Sequence, residues 1–446
     1  MKKQYAKRAL AALAAMAMTV SFAACGGSTS SSGGASAGSS AAASSVAETK
    51  EPVTVVYVIA SSQANNQGTL DAIAKWEEKT GNKIDLQSVP DDQYDSVVTA
   101  RLSGNDGIDI FQGPLQSFDA ENTMVEFVGE DFENRLSEPV LRSIRTPDGK
   151  YYGYPGPGGI STFGFWYNKA VFEEAGITEL PTTFEGFSEM CQKIKDIGVT
   201  PIYLAGKDGY TLLQHRNAVC GAIYGEDPDI WNKLNANEIQ WTEIPEFKAQ
   251  MEALAGWAKD GFINDHFLTG TDEESKVAVA NGEAAMLING SWAVRGLLTQ
   301  NPDMEVGFLP LPTSSGTPCI PVSGYGGGWH IAKSSKVQEQ ALDFLRFMTS
   351  PEVVSEYMKA APGVVAYNDV PPIENSPAVF DEVQQYIAAD QVSPHGDTEY
   401  IVPQNGNEII ALYQELIAGR ITADEFVQGH ADSYVNNAQI AGIPNF

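Results

Sequence analysis

Val53-Thr-Val-Val-Tyr-Val-Ile59 is a run of β-branched and aromatic residues, and beyond Ser61-Ser-Gln-Ala-Asn-Asn-Gln67 the apolar positions change to helical spacing at Leu70, Ile73, Ala74 and Trp76 before Gly81. The stretch reads as strand, loop, helix. Ile84-Asp-Leu-Gln-Ser-Val89 is a second strand, Tyr94 to Leu102 an amphipathic helix closed by Gly104, and Ile108-Asp-Ile-Phe111 a short third strand. Strands alternating with helices predict an α/β fold: a mostly parallel sheet covered by helices. No repeat of 20 to 50 residues interrupts the pattern.

Downstream, Gly153-Tyr-Pro-Gly-Pro-Gly-Gly159 breaks the alternation ahead of a Phe163-Gly-Phe-Trp-Tyr167 strand, which places a crossing into a second lobe there. Pro181-Thr-Thr-Phe-Glu-Gly-Phe187 opens a helix with Thr183 as N-cap, and Ala284-Ala-Met-Leu-Ile288 is a strand ending in Gly290-Ser-Trp292. Pro310-Leu-Pro312 reads as a rigid connector, and Val337 to Thr349 as an amphipathic helix halted before Pro351; both are expected crossings. The expected division is 51–158 with 312–349 in an N-terminal lobe, and 159–311 with 350–446 in a C-terminal lobe.

A chain of 446 residues, 43% hydrophobic and 19% charged, is long enough for two cores. Its net charge is −29, and removing residues 1–24, with four bases (Lys2, Lys3, Lys7, Arg8) and no acid, takes it to −33. Such a surface repels phosphate polymers, so nucleic acid is a poor partner, and small anions are disfavoured unless a local arginine overrides the field. The basic start, the apolar Ala9 to Val20 and Phe22-Ala-Ala-Cys25 form a lipobox: a leader over 1–24, with the Cys25 sulfur as the acceptor of a lipid anchor. Gly, Ser and Ala then dominate to Ser45, so 25–50 reads as a flexible tether at the outer face of the cell membrane. Cys191, Cys220 and Cys319 remain; buried thiols are the default, with one disulfide the alternative.

The order of motifs resembles family 1 of the extracellular solute-binding proteins, the group that includes the maltose-binding protein. The pieces are Trp76-Glu-Glu-Lys-Thr-Gly81, Gly153-Tyr-Pro, Tyr167-Asn-Lys169 with Phe172-Glu-Glu-Ala-Gly176, Pro181-Thr-Thr-Phe184, Gly282-Glu-Ala-Ala-Met286, Gly290-Ser-Trp292, Ala341-Leu-Asp-Phe-Leu345 and Leu416-Ile-Ala-Gly-Arg-Ile-Thr422. The resemblance implies a two-lobed type II periplasmic-binding fold with three interlobe crossings and a ligand cleft. It implies a monomeric substrate-binding component of an ABC importer that needs no cofactor, captures a carbohydrate, more readily an oligosaccharide, and passes it to permease subunits.

Sugars present apolar C–H faces and a rim of hydroxyls, so their sites combine aromatic platforms with amides and carboxylates. Trp292 stands where the family sets a stacking ring, with a core tryptophan as the other reading. Asp208 and Tyr210, in Gly206-Lys-Asp-Gly-Tyr210, occupy a loop where the family sets an acid and an aromatic, although Asp-Gly is also ordinary turn chemistry. Gln63 and Asn65 lie in the loop after the first strand, and strand-end loops face ligand clefts; the maltose-binding protein has charged residues in this loop. Gln112 ends the third strand, as a ligand contact or as a cap. Tyr325 and Trp329 share Gly324-Tyr-Gly-Gly-Gly-Trp329, where glycines allow close backbone approach, one ring being expected in the core. Ser161 at the first crossing and Asn405 before the Glu408 to Ala418 helix complete the set.

The five histidines are scattered, without metal-ligand spacing. No Gly-x-Ser-x-Gly elbow, phosphate loop or dinucleotide fingerprint occurs. Two rival functions stand beside transport: a secreted glycoside hydrolase with two acids flanking a glycosidic bond, and a surface sensor that binds sugar without feeding a transporter.

Overall fold

The computed structural model describes residues 51–146, 148–324, 327–371 and 373–446. Cys25, the leader, the tether and Tyr325 lie outside the described residues. The opening strand segments become β1 (Thr54–Ala60), β2 (Lys83–Val89) and β3 (Ile110–Gln112), with β1 parallel to both neighbours; β2, at the sheet edge, alternates polar and apolar residues. Helix Gln67–Thr80 joins β1 to β2, capped by the Asn66 side chain, which accepts from the Thr69 N–H at 3.2 Å. The helix after β2, Tyr94–Gly104, ends on Asn105 in the left-handed region (φ 51°) rather than on Gly104; the short Asn side chain tolerates that conformation.

The chain then enters a second sheet through β4 (Ile160–Asn168), nine residues buried throughout. β5 (Thr200–Tyr203), β6 (Ala284–Gly290), β7 (Val306–Leu309) and β8 (Ile320–Gly324) follow in the same sheet. β9 (Trp329–Ile331) returns to the first sheet, antiparallel to β3, and β10 (Val392–Pro394) pairs with β8. The sheet orders are β2-β1-β3-β9 and β10-β8-β4-β6-β5, with β7 also on β4. Helix Phe184–Asp196 starts as its sequence predicts, the Thr183 hydroxyl accepting from the Gly186 N–H.

Sheets covered on both faces need apolar residues in both registers, which explains the unbroken hydrophobic runs. From β1, Val55, Tyr57 and Ile59 enter one core with Trp76 and Phe344, while Val58 enters another with Val98 and Phe111. From β4, Phe163, Phe165 and Tyr167 join Phe187 and Trp257 on one face, and Ile160 and Trp166 point to the other. Burying each such side chain contributes about 1.5–3 kcal/mol.

Sheet membership moves two expected boundaries. Pro310-Leu-Pro312 is a buried turn between β7 and β8, within the second sheet, because Leu309 and Leu311 stay in its core. The return to the first sheet lies instead between β8 and β9. Helix Pro351–Ala360, which the sequence division gives to the C-terminal lobe, lies on helix Gln67–Thr80, with the Tyr357 ring against Gly68. After helix Pro351–Ala360 the chain passes a third time, toward β10 in the second sheet, and the connecting segments run side by side: Tyr154 and Trp329 exchange backbone hydrogen bonds of 2.6 and 2.8 Å, and the Ile160 N–H donates to the Val364 carbonyl at 2.7 Å. A Cβ on Gly156 would lie 1.8 Å from the Trp329 ring, so only glycine fits this crossing.

Cys191 and Cys220 are buried, Cys319 is partly so, and all three are free thiols. Among the described residues no helix is long and apolar enough to cross a membrane, and no cluster of three His, Cys, Asp or Glu side chains is arranged to hold a metal.

Candidate functional site

Between the sheets lies a cavity of about 420 Å³. One wall is the short helix Ser61–Ala64, formed where the sequence reads a loop, with the two residues after it: Gln63, Asn65 and Asn66 line the cavity. Gln63 is held from behind by a relay of buried groups: Trp329 Nε1 donates to the Tyr57 hydroxyl (2.7 Å), which donates to Gln112 Oε1 (2.8 Å), and Gln112 Nε2 donates to Gln63 Oε1 (2.9 Å). Gln112 and Trp329, at 3% and 2% exposure, therefore sit one layer behind the cavity and not on its surface. A strand end specifies position but not which face the side chain takes, and both turn inward.

The facing wall is built on the end of β6. Trp292 is 40% exposed, its indole laid across Gly290, where an added Cβ would come within 2.2 Å of the ring. Its edge meets Phe163 at 5.7 Å between centroids and 81° between planes, which orients the open face without burying it. Ser291, Lys276, Arg295 and Gly296 extend this wall, while Gly158, Gly159 and Ile160 from the first crossing and Tyr357 and Gly363 close the back. The first turns of helices Gln67–Thr80 and Ala293–Gln300 both open here, adding positive partial charge.

A second cavity of about 650 Å³ is lined by Pro114, Leu115, Phe118 and Arg145 from one side and by Leu213, Arg216, Asp397, Tyr400 and Gln404 from the other. Phe163, which supports Trp292, also meets His395 at 4.9 Å, two residues before Asp397. On the opposite side Gln112, bonded to Gln63, lies two residues before Pro114. The buried Arg216 donates to Asp397 Oδ1 at 2.7 Å and lies over the Tyr400 ring. Burial pushes the Asp397 carboxyl up, but Arg216 and His395 outweigh it and hold the group below the usual range; burial lowers His395.

Of the expected site residues, Gln63, Asn65 and Trp292 line the first cavity. Asp208 and Tyr210 instead join a network around Asp272: Tyr210 donates to Asp272 Oδ2 at 2.7 Å, and Asp208 Oδ2 accepts from the Asp272 N–H at 2.7 Å. Burial, then Asp272, raises the Tyr210 phenol above its ordinary range. The loop braces the wall behind Lys276 and lines neither cavity. Ser161 is buried in β4 opposite Ser323. Asn405 caps helix Gly406–Ile417 and bonds to Glu408, while its neighbours Gln404 and Gly406 line the second cavity. Sequence reasoning missed Lys276, Arg295 and Arg216; for Arg295 the unused signal is its spacing, three residues after Trp292 and so on the same helix face.

The family described as bacterial extracellular solute-binding protein matches residues 60–355. The multiple sugar-binding protein of Streptococcus mutans is 26% identical over 339 residues, 74% of this chain and 78% of that one. The diacetylchitobiose binding protein DasA of Streptomyces coelicolor is 26% identical over 443 residues, 94% and 96% of the two chains. Bacillus subtilis MelE, a melibiose/raffinose/stachyose-binding protein, is 22% identical over 396 residues, covering 86% and 89%. Among solved structures, RafE in complex with raffinose superposes with a TM-score of 0.71 at 20% identity, covering 86% of this chain and 99% of that one. A chitin oligosaccharide binding protein gives 0.71 at 21% identity, covering 87% and 100%. The fold is the two-lobed α/β fold of these neighbours, and the chain belongs to the bacterial extracellular solute-binding protein family.

Proposed function

We propose that this protein captures an oligosaccharide between its lobes and delivers it, unaltered, to the permeases of an ABC importer. The observation that carries this reading is the half-exposed Trp292 facing the amides Gln63 and Asn65 across a cavity of about 420 Å³. An aromatic face takes the C–H side of a pyranose, and amides both donate to and accept from hydroxyls. The volume falls within the ordinary range for small-ligand sites. The names of the similar proteins support the class: multiple sugars, melibiose, raffinose, stachyose and diacetylchitobiose are all saccharides.

Capture works through the crossings. A ligand touching both walls favours the closed state by the contacts it makes only there, and moving a population from mostly open to mostly closed takes about 5.5 kcal/mol of that difference. In this reading one lobe comprises residues 51–158 with β9 and the helices to Ala360, and the other comprises β4 to β8 with the chain from β10 onward. Lipid on Cys25 and the 25–50 tether hold the globule at the outer face of the membrane. Labelled palmitate fed to cells should enter the wild-type chain and not Cys25→Ser.

A hydrolase needs two carboxylates across the scissile bond. Among the described lining residues the first cavity presents none, and the second presents Asp397, already paired with Arg216. A thermal-shift screen of oligosaccharides, each incubation then analysed by chromatography, tests the reading. A raised midpoint with intact sugar supports it; no shift across the panel, or release of reducing ends, overturns it.

A further inference from the structure

Resting on the saccharide reading, the charge of the first cavity narrows the ligand's chemistry. The chain holds 57 acids against 28 bases, yet the cavity lining carries two cations, Lys276 and Arg295, and no carboxylate among the described residues. Lys276 is answered. Its Nζ lies 2.5 Å from Asp272 Oδ2, and Asp272 is itself held by Tyr210 and by Asn289 Nδ2 at 2.9 Å; Glu273, largely exposed, stands 3.9 Å from the same Nζ.

Arg295 is not answered. It is exposed, lies one turn beyond Trp292 on helix Ala293–Gln300, and forms no ion pair among the described residues. The wall opposite offers only neutral amides, so nothing lining the cavity repels an anion. A guanidinium is a planar fork of donors that fits a carboxylate two bonds at a time, whereas hydroxyls take single, weaker bonds from it.

We propose that the saccharide selected by this protein carries a carboxylate, as a uronic or sialic acid does, and that Arg295 binds that group beside the ring stacked on Trp292. The net charge of −29 does not oppose this at close range, because fields beyond about 10 Å are largely screened at ordinary salt, while a contact pair is screened much less. Global repulsion slows the encounter and the local arginine decides the affinity.

The test is titration calorimetry of the full chain with matched saccharides: trigalacturonate against galactotriose, glucuronyl-substituted xylotriose against xylotriose, and sialyllactose against lactose. In at least one pair the acidic member should bind at least about tenfold tighter, and Arg295→Gln should shrink that ratio by about tenfold or more while Arg295→Lys keeps part of it. The proposal is overturned if neutral members bind as tightly as acidic ones, or if an acid preference persists in Arg295→Gln; either result leaves the saccharide reading standing. Silence from every saccharide overturns both.

Discussion

Trp292 shows how a single residue is written for exposure. Gly290 removes the side chain that would hold the indole away from the backbone, and Phe163 supports one edge, so the ring is fixed while its face stays open. Truncation should therefore affect binding much more than folding: Trp292→Ala is expected to weaken saccharide affinity by at least about tenfold, the loss of about 1.5–3 kcal/mol of aromatic contact, with a nearly unchanged unfolding midpoint. Equal calorimetric affinity in the variant would remove Trp292 from the site. The resemblance singled this residue out, because Gly290-Ser-Trp292 matches a motif that sets a stacking ring, and the structure leaves that ring 40% exposed. Arg295 and Lys276 were not singled out, since charged side chains on a helix read first as solvated faces.

Histidines make a second prediction at the same scale. His430 is buried among Trp241, Phe247 and Phe426 with neither ring nitrogen hydrogen-bonded among the described residues, and His215 has one nitrogen on the Tyr413 hydroxyl and the other unpartnered. Burial pushes both down to about 3 from the usual 6.5. Both are neutral in the fold, while the unfolded chain takes up protons below 6.5, so stability is lost as pH falls from 6.5 toward 3. The loss at pH 5 relative to pH 7.5 is roughly 2 kcal/mol per histidine. Urea unfolding at the two pH values should show His430→Phe losing less than wild type and starting higher at neutral pH; an unchanged slope would contradict the burial account.

At the scale of elements, the relay from Trp329 through Tyr57 and Gln112 to Gln63 ties β9, β1 and β3 to the short helix Ser61–Ala64 that faces the cavity. Tyr57→Phe removes the shared hydroxyl and leaves Trp329 Nε1 and Gln112 Oε1 buried without it, at a cost of about 1–3 kcal/mol for each unsatisfied group. Both the unfolding free energy and saccharide affinity should fall, because Gln63 loses its anchor. A variant with reduced stability but wild-type affinity would show that Gln63 is positioned some other way. In this layer β1 and β3 were legible as runs of Val, Ile, Tyr and Phe, since a sheet covered on both faces needs them; β9, the three residues Trp329–Ile331 after a run of glycines, was not read as a strand. The crossings were less legible: Pro310-Leu-Pro312 fixes the backbone, but prolines do not state which core the chain then enters, and here Leu309 and Leu311 keep it in the second.

For the whole molecule the claim is that two lobes joined by three adjacent segments close on a saccharide and release it intact. The pairing of Tyr154 with Trp329 and of Ile160 with Val364 sets those segments side by side, which lets one motion bend all of them together. The decisive measurement is a crystal structure of the chain grown with the tightest-binding oligosaccharide of the screen. The account predicts an uncleaved saccharide with one ring on the Trp292 face and its hydroxyls on Gln63 and Asn65. Sugar bound elsewhere with this cleft empty, or a cleaved product within it, would contradict the account.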